Sequence, residues 1–315
     1  MRLLIVTQAV DVHDPLLGFF HRWIQEFAKQ VEHVEVICLR EGEHALPENV
    51  RVHALGKGKL LRAVRFLGLV FSLRRKYDAV FVHMNPEYVV LAGKFWRFAG
   101  KRIGLWYTHK NVDTKLRIAE ALTHHVFTAS KESFRLISKK LHVMGHGIDT
   151  DFFMPSDKVR EEHLLSVGRL MPSKRHDLAI RTAVTAGRPL RIIGEGPEHA
   201  SLEALAKDVG ASVMFLGALT QDAVRNEYQS AHTLLHTSET GSLDKVVLEA
   251  LACGTPVVTT SEAYPDAPVS HSPAEPSALT NALDVSTDAS ERVAYVCQHH
   301  SLPKLVPAIL AVYSL

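Results

Sequence analysis

The stretch Gly241-Ser-Leu-Asp-Lys-Val-Val-Leu-Glu249-Ala-Leu-Ala-Cys-Gly254-Thr-Pro-Val-Val258 joins a polar, glycine-bearing loop, a short helix with one carboxylate and a buried strand. Backbone N–H groups at Gly241, Ser242 and Leu243 are expected to open the helix, where the positive end of its dipole favours an anion. Glu249, two turns further on, is placed to accept from sugar hydroxyls. The segment therefore suits a ligand with a diphosphate at one end and a ribose at the other.

Outward from this stretch, short apolar or β-branched runs alternate with helix-like segments. Upstream of it, strands are predicted at 164–167, 190–193, 212–216 and 233–236, with another at 256–259; helices are predicted at 176–186, 201–209, 221–230 and 244–252. The first half repeats the alternation, with strands at 3–7, 33–39, 51–55, 79–83, 103–108 and 125–129. Helices are predicted there at 19–30, 60–75, 88–98, 116–122 and 132–139. Two doubly wound α/β domains with largely parallel sheets follow. Asp149-Thr-Asp-Phe-Phe-Met-Pro155 reads as the connection, its proline ending regular structure and its aromatics expected at the seam. The expected division is 1–150, 151–290 and a C-terminal helical segment, 291–315, crossing back to the first domain through an apolar helix at 302–313.

At 315 residues the chain exceeds the usual single-core size. Hydrophobic residues are 46% and charged residues 22%, a globular composition, and no apolar run approaches the length of a spanning helix. The opening Met-Arg-Leu-Leu-Ile-Val-Thr runs into Gln8 and Asp11 and reads as a first strand rather than a signal peptide. Three widely spaced cysteines, Cys38, Cys253 and Cys297, fit neither a disulfide framework nor a metal site and point to a reducing, cytoplasmic setting.

The net charge of +2 hides an asymmetry: residues 1–150 hold 23 Lys and Arg against 14 Asp and Glu, whereas the remainder holds 13 against 20. The run 57–76 contributes Lys57, Lys59, Arg62, Arg65, Arg74, Arg75 and Lys76 around an apolar segment, 66–73. It fits an anionic membrane surface or acidic acceptor, or else a solvated helix end beside a buried helix. Nucleic acid is not expected as a partner, because the basic half lacks a binding motif.

Arg169 and Lys174 follow the first strand of the second domain, where open α/β sheets bind ligands. Together they can neutralise a diphosphate leaving group, work that metal ions do elsewhere. Gly18, between the first strand and helix, would let backbone approach a phosphate. Gly194-Glu195-Gly196 and Gly217-Ala218-Leu219 also follow strands and offer backbone atoms to base and phosphates, though they are not a Rossmann fingerprint. Among 19 histidines, His109 stands out at the end of a strand; His83, near Asn85 and Glu87, is its rival, and His146 suits a hinge.

The whole resembles the retaining glycosyltransferases of family four, with the GT-B fold of two Rossmann-like domains facing across a cleft. The resemblance rests on Gly18, His109, His146-Gly-Ile-Asp149 with Phe153 and Pro155, Val167-Gly-Arg169 with Lys174, Ile193-Gly-Glu-Gly196 and Leu248-Glu249 through Val258. It implies that Arg169 and Lys174 bind the donor diphosphate, Glu249 the ribose, and His109 the transferred sugar. The donor loops would include Gly196, Gly217, Leu219, Gly241, Ser242, Leu243 and Asp244, and no divalent metal or other cofactor is implied. The family's motif has a first glutamate where this chain has Gly241, so Glu239 or Asp244 becomes the candidate replacement.

The expected function is a hexosyl-type transfer from a UDP- or GDP-sugar to a glycan or lipid-linked acceptor. The enzyme would be cytoplasmic and peripheral at the inner face of the membrane. The rival readings are a nucleotide-sugar epimerase of the same architecture and a non-catalytic nucleotide-sugar-binding protein.

Overall fold

A computed structural model of the chain describes residues 1–14, 17–285 and 287–314 and resolves two compact units, Met1–Gly147 with the C-terminal helix, and Ile148–Ser301.

The first unit holds strands β1 (Arg2–Val10), β2 (His33–Glu41), β3 (Val50–Ala54), β4 (Ala79–His83), β5 (Arg102–Trp106), β6 (His125–Thr128) and β7 (Leu141–Val143). They form one parallel sheet in the order β3-β2-β1-β4-β5-β6-β7. Its helices are α1 (Gly18–Gln30), α2 (Lys59–Ser72), α3 (Pro86–Phe98) and α4 (Thr114–Leu122). Alternate residues of β1 go to opposite faces: Leu3 and Ile5 pack with Phe20, Trp23 and Phe27 of α1, while Leu4 and Val6 pack with Phe66, Tyr88 and Trp96 of α2 and α3. Both faces are covered, which is why the strands read as continuous apolar runs.

The second unit repeats the plan with β8 (Leu164–Val167), β9 (Leu190–Ile193), β10 (Val213–Gly217), β11 (Thr233–His236), β12 (Val257–Thr259) and β13 (Ser270–His271), ordered β10-β9-β8-β11-β12-β13. Helices α5 (His176–Ala186), α6 (His199–Asp208), α7 (Gln221–Ser230), α8 (Lys245–Ala252), α9 (Pro276–Ala282) and α10 (Ala289–His299) surround it. The last helix, α11 (Leu302–Tyr313), belongs to the first unit. Its Tyr313 hydroxyl donates to the Val80 carbonyl at 2.8 Å, in a space that exists because Gly104 of β5 has no Cβ to collide with it.

The helix expected at 132–139 does not form; only a 3₁₀ turn, Lys131–Ser133, appears there. Serine hydroxyls compete with the helix ladder, Ser130 with Ser133 at 3.0 Å and Ser138 with Glu120 at 2.6 Å, and Lys140 spans to the carbonyls that end α4. Phe152 and Phe153, expected at a seam, lie in the core of the second unit, where Phe153 packs on Tyr228. The Asp149 carboxylate folds the chain there by accepting from the Asp151 and Phe152 N–H groups.

Candidate functional site

In the second sheet the strand order reverses between β8 and β11, so their following loops diverge and leave a crevice at the carboxyl edge. The β8 loop carries Gly168 to Arg175 and the β11 loop carries Thr237 to Asp244. Backbone bonds knit the edge: Gly168 N donates to Ile193 O at 3.0 Å, Gly194 N to Gly217 O at 2.8 Å and Leu170 N to Glu195 O at 2.9 Å. Gly196 is required here, because an added Cβ would collide with the Leu170 carbonyl. The structure thus gives Gly196 and Gly217 a framework role in the β8–β10 loops.

The charged centre is a three-residue cluster. Lys174 Nζ donates to Asp244 Oδ2 at 2.5 Å, and His236 Nε2 lies 3.1 Å from the same oxygen. The Asp244 carboxylate can only accept, so His236 donates through Nε2, and the Thr259 hydroxyl, 2.9 Å from Nδ1, gives its proton to that nitrogen while accepting from the Ser261 N–H at 3.0 Å. Hydroxyls continue the network: Ser242 donates to Asp244 Oδ1 at 3.1 Å, and Ser238, Thr240 and Ser242 follow one another at 3.0 and 2.8 Å. Burial pushes the Asp244 carboxyl up, but the His236 hydrogen bond and the Lys174 ammonium outweigh it and hold the group well below the usual carboxylate range.

Arg169 is exposed beside this cluster in sequence. Under its loop, His176 is buried with Nδ1 2.9 Å from Ser166 Oγ, and burial pushes it down to about 4, so it stays neutral. Glu239 is committed elsewhere, in an ion pair with Arg175.

Helix α8 begins at Lys245, so Gly241, Ser242 and Leu243 precede the helix and do not open it. The chain turns there because Leu243 is buried in the core and the Asp244 N–H donates to the Tyr264 hydroxyl at 2.7 Å. Asp244 precedes the helix, but its carboxylate caps none of the helix N–H groups and turns to Lys174, His236 and Ser242. Leu219 is half-buried against the same core. Glu249 is buried on α8, its Oε2 accepting from the Tyr228 hydroxyl at 3.2 Å and its Oε1 3.8 Å from Lys245 Nζ. Burial raises the Glu249 pKa and lowers that of Lys245 to about 8.

In the first unit the same kind of reversal lies between β1 and β4. His83, at the end of β4, is buried, stacked on Phe20 at 4.0 Å and 3.4 Å from Thr7 Oγ1. His109 is exposed, and its Nδ1 accepts from the Asn111 N–H at 3.0 Å, which leaves Nε2 as the donor. Gly18 starts α1 with its N–H on Asp14 O at 2.8 Å and would bring a Cβ to 3.0 Å from the Val12 carbonyl, so a local close approach accounts for it. Asn85 accepts from Gln8 at 3.2 Å, and His146 is buried.

Sequence reasoning placed Arg169, Lys174 and Asp244 near one edge but missed His236, Ser238, Thr240 and Tyr264. The signal was the hydroxyl-rich run Thr237-Ser-Glu-Thr240 directly after a strand that ends in histidine.

Residues 148–270 match the model of the family described as Glycosyl transferases group 1. The matched residues lie within the second unit. The D-inositol 3-phosphate glycosyltransferase of Mycobacteroides abscessus is 32% identical over 137 residues, 38% of this chain and 31% of that protein. Its counterpart in Acidothermus cellulolyticus is 29% identical over 171 residues, 44% of this chain and 38% of that protein. The matched part thus spans about a third of the length of these relatives.

Among solved structures, Anabaena HepE in complex with UDP aligns with a TM-score of 0.78 at 18% identity, covering 100% of both chains. Sucrose-phosphate synthase of Thermosynechococcus elongatus aligns at 0.76 and 17% identity, covering 100% of this chain and 98% of that one. Both units therefore have the doubly wound sheets of the GT-B fold seen in those structures.

Proposed function

We propose that this chain is a retaining glycosyltransferase that moves a sugar from a UDP- or GDP-sugar to a glycan or lipid-linked acceptor at an anionic membrane surface, without a divalent metal. The observation that carries the reading is the Lys174–Asp244–His236 cluster at the β8/β11 reversal, inside the stretch that matches glycosyl transferases group 1. The UDP held by the HepE structure supports a nucleoside diphosphate as the ligand.

In this reading the donor diphosphate lies against Arg169 and Lys174 and shares the Lys174 ammonium with Asp244. Glu249 accepts from the ribose. The bond between the anomeric carbon and the diphosphate oxygen breaks, and the developing negative charge is met by Arg169 and Lys174. The acceptor hydroxyl adds on the same face and gives its proton to the departing phosphate oxygen, yielding the glycoside and a nucleoside diphosphate. Gly241 takes the place of the first motif glutamate, and Asp244, three residues on, positions Lys174 through the ion pair instead of contacting the sugar.

The test is a thermal-shift screen of UDP- and GDP-sugars followed by product analysis with and without acceptors. A true donor at about 100 times its dissociation constant stabilises the fold by about 2.7 kcal/mol. Acceptor-dependent release of UDP or GDP supports transfer, whereas an altered sugar nucleotide without acceptor indicates an epimerase. Stabilisation with no turnover leaves a nucleotide-sugar-binding protein.

A further inference from the structure

Helix α2 is apolar on two sides. Its inner side buries Phe66 and Val70 against the sheet. Its outer side repeats the pattern at helical spacing, with Leu60 81%, Val64 62% and Phe71 58% exposed, and with Leu61 and Leu67 exposed beside them. Large apolar side chains at i, i+4, i+7 and i+11 form a stripe, not scattered surface residues, and a stripe of this kind marks a contact surface.

The stripe extends onto α3, where Phe98 is 93% exposed and Leu91 is exposed with it. The two helices are joined at this surface by Phe71 and Phe95, whose rings are 6.1 Å apart.

Charge identifies the partner. Between Glu48 and Asp78 the chain has no acidic residue, and it has Lys57, Lys59, Arg62, Arg65, Arg74, Arg75 and Lys76. Asp78 is already paired with Arg2 at 2.7 Å, and of these cations Lys76 is held 3.6 Å from the buried Glu35. On α3, Lys94 and Arg97 are exposed beside Leu91 and Phe98. Arg74 lies over the Phe71 ring at 4.2 Å, so a cation is held at the border of the apolar stripe. A protein partner of ordinary composition would meet apolar area or charge. An anionic bilayer offers both at once, acyl chains beneath a negative headgroup layer, to a helix lying in its plane.

We propose that α2 and the neighbouring end of α3 form a membrane-docking face, with Leu60, Leu61, Val64, Leu67, Phe71 and Phe98 entering the acyl boundary and the surrounding Lys and Arg engaging anionic headgroups. This specifies the surface that would serve the acceptor side of the proposed function, but it stands independently of donor binding.

The experiment is flotation of the full chain, without any sugar nucleotide, with vesicles of phosphatidylcholine alone or with one third phosphatidylglycerol. Native protein is expected to float with the anionic vesicles only and to resist release between about 0.1 and about 0.5 M salt better than a purely ionic contact would. The exposed triple change Leu60→Ser, Leu61→Ser, Val64→Ser should lower partitioning about tenfold or more. A second variant, Lys59→Gln, Arg74→Gln, Arg75→Gln, should lose the preference for phosphatidylglycerol. Far-UV circular dichroism checks that both variants fold. Failure of native protein to float, or equal flotation by the triple serine variant, overturns the proposal. So does a dimer in gel filtration that the serine changes abolish while flotation stays absent.

Discussion

The carboxyl edges of the two sheets begin from the same plan and end with different chemistry. In each unit the strand order reverses beside the first strand, at β1/β4 and at β8/β11. At β4 the edge is filled by packing: His83 stacks on Phe20, with Phe19 and Trp23 around it. At β11 the corresponding strand-ending histidine, His236, is in a charged network with Asp244 and Lys174 and is followed by hydroxyl side chains. Topology supplies a crevice in both units, and the residues of the loops decide whether it is packed or polar.

The largest contrast is expected in turnover. Arg169→Ala or Lys174→Ala should lower acceptor-dependent release of nucleoside diphosphate by about 100-fold or more, because each removes positive charge where the leaving group becomes negative. Steady-state rates of the folded variants check this, and near-native rates in both would break the comparison on the β8/β11 side.

Asp244→Asn should separate stability from binding. The carboxylate has a depressed pKa, so its contribution is present above the ordinary value of about 4 and is lost as pH falls through the lower folded value. The variant should be less stable at neutral pH by about 1–3 kcal/mol and show a flatter loss below about pH 4. Nucleoside diphosphate affinity should hold or rise, since Lys174 no longer has a competing anion. Denaturant melts across pH, with one calorimetric titration, decide it.

On the other side of the comparison, His83→Ala should cost about 1–2 kcal/mol of stability by leaving space against Phe20, with nucleoside diphosphate affinity unchanged. Affinity that falls with His83 would show the two edges to be less different than their packing implies.

The last effect, confined to alkaline pH, concerns Lys245. Its folded pKa of about 8 lies below the ordinary value near 10.4, so the unfolded chain binds more protons between the two. Stability should therefore gain from this group as pH rises through that window, and Lys245→Met should remove the gain in melts run from about pH 8 to about pH 10.

Much of the fold was legible because local signals and tertiary demands agreed. The strands 164–167, 190–193 and 233–236 and the helices 176–186, 221–230 and 302–313 have the predicted bounds. At 132–139 the apolar spacing suggested a helix, but the serines bond to each other and to Glu120 instead. Past residue 260, β13 has two residues and gave no pattern to read, and α9 went unread although Pro276 starts it; α10 was read only within the helical segment 291–315, without the start that Asp288 marks by accepting from the Ser290 N–H.

The site divides in the same way. That Arg169 and Lys174 follow a strand could be read from position alone, and the departure at Gly241 was visible as a missing carboxylate. That Asp244 would be held by Lys174, and Glu239 by Arg175, could not be, because each pair joins loops more than sixty residues apart in sequence. His236 was hidden for another reason: it differs from His83 only in its neighbours, which belong to other strands and loops.

The central claim is that the β8/β11 edge of the second unit binds a nucleoside diphosphate. Its most direct test is calorimetric titration of UDP and GDP into the native chain and into Lys174→Ala. Binding of at least one nucleotide to the native chain, weakened about tenfold or more in the variant, is the predicted result, corresponding to about 1.4 kcal/mol or more. Equal affinity in both proteins, or no binding of either nucleotide to the native chain, would contradict it.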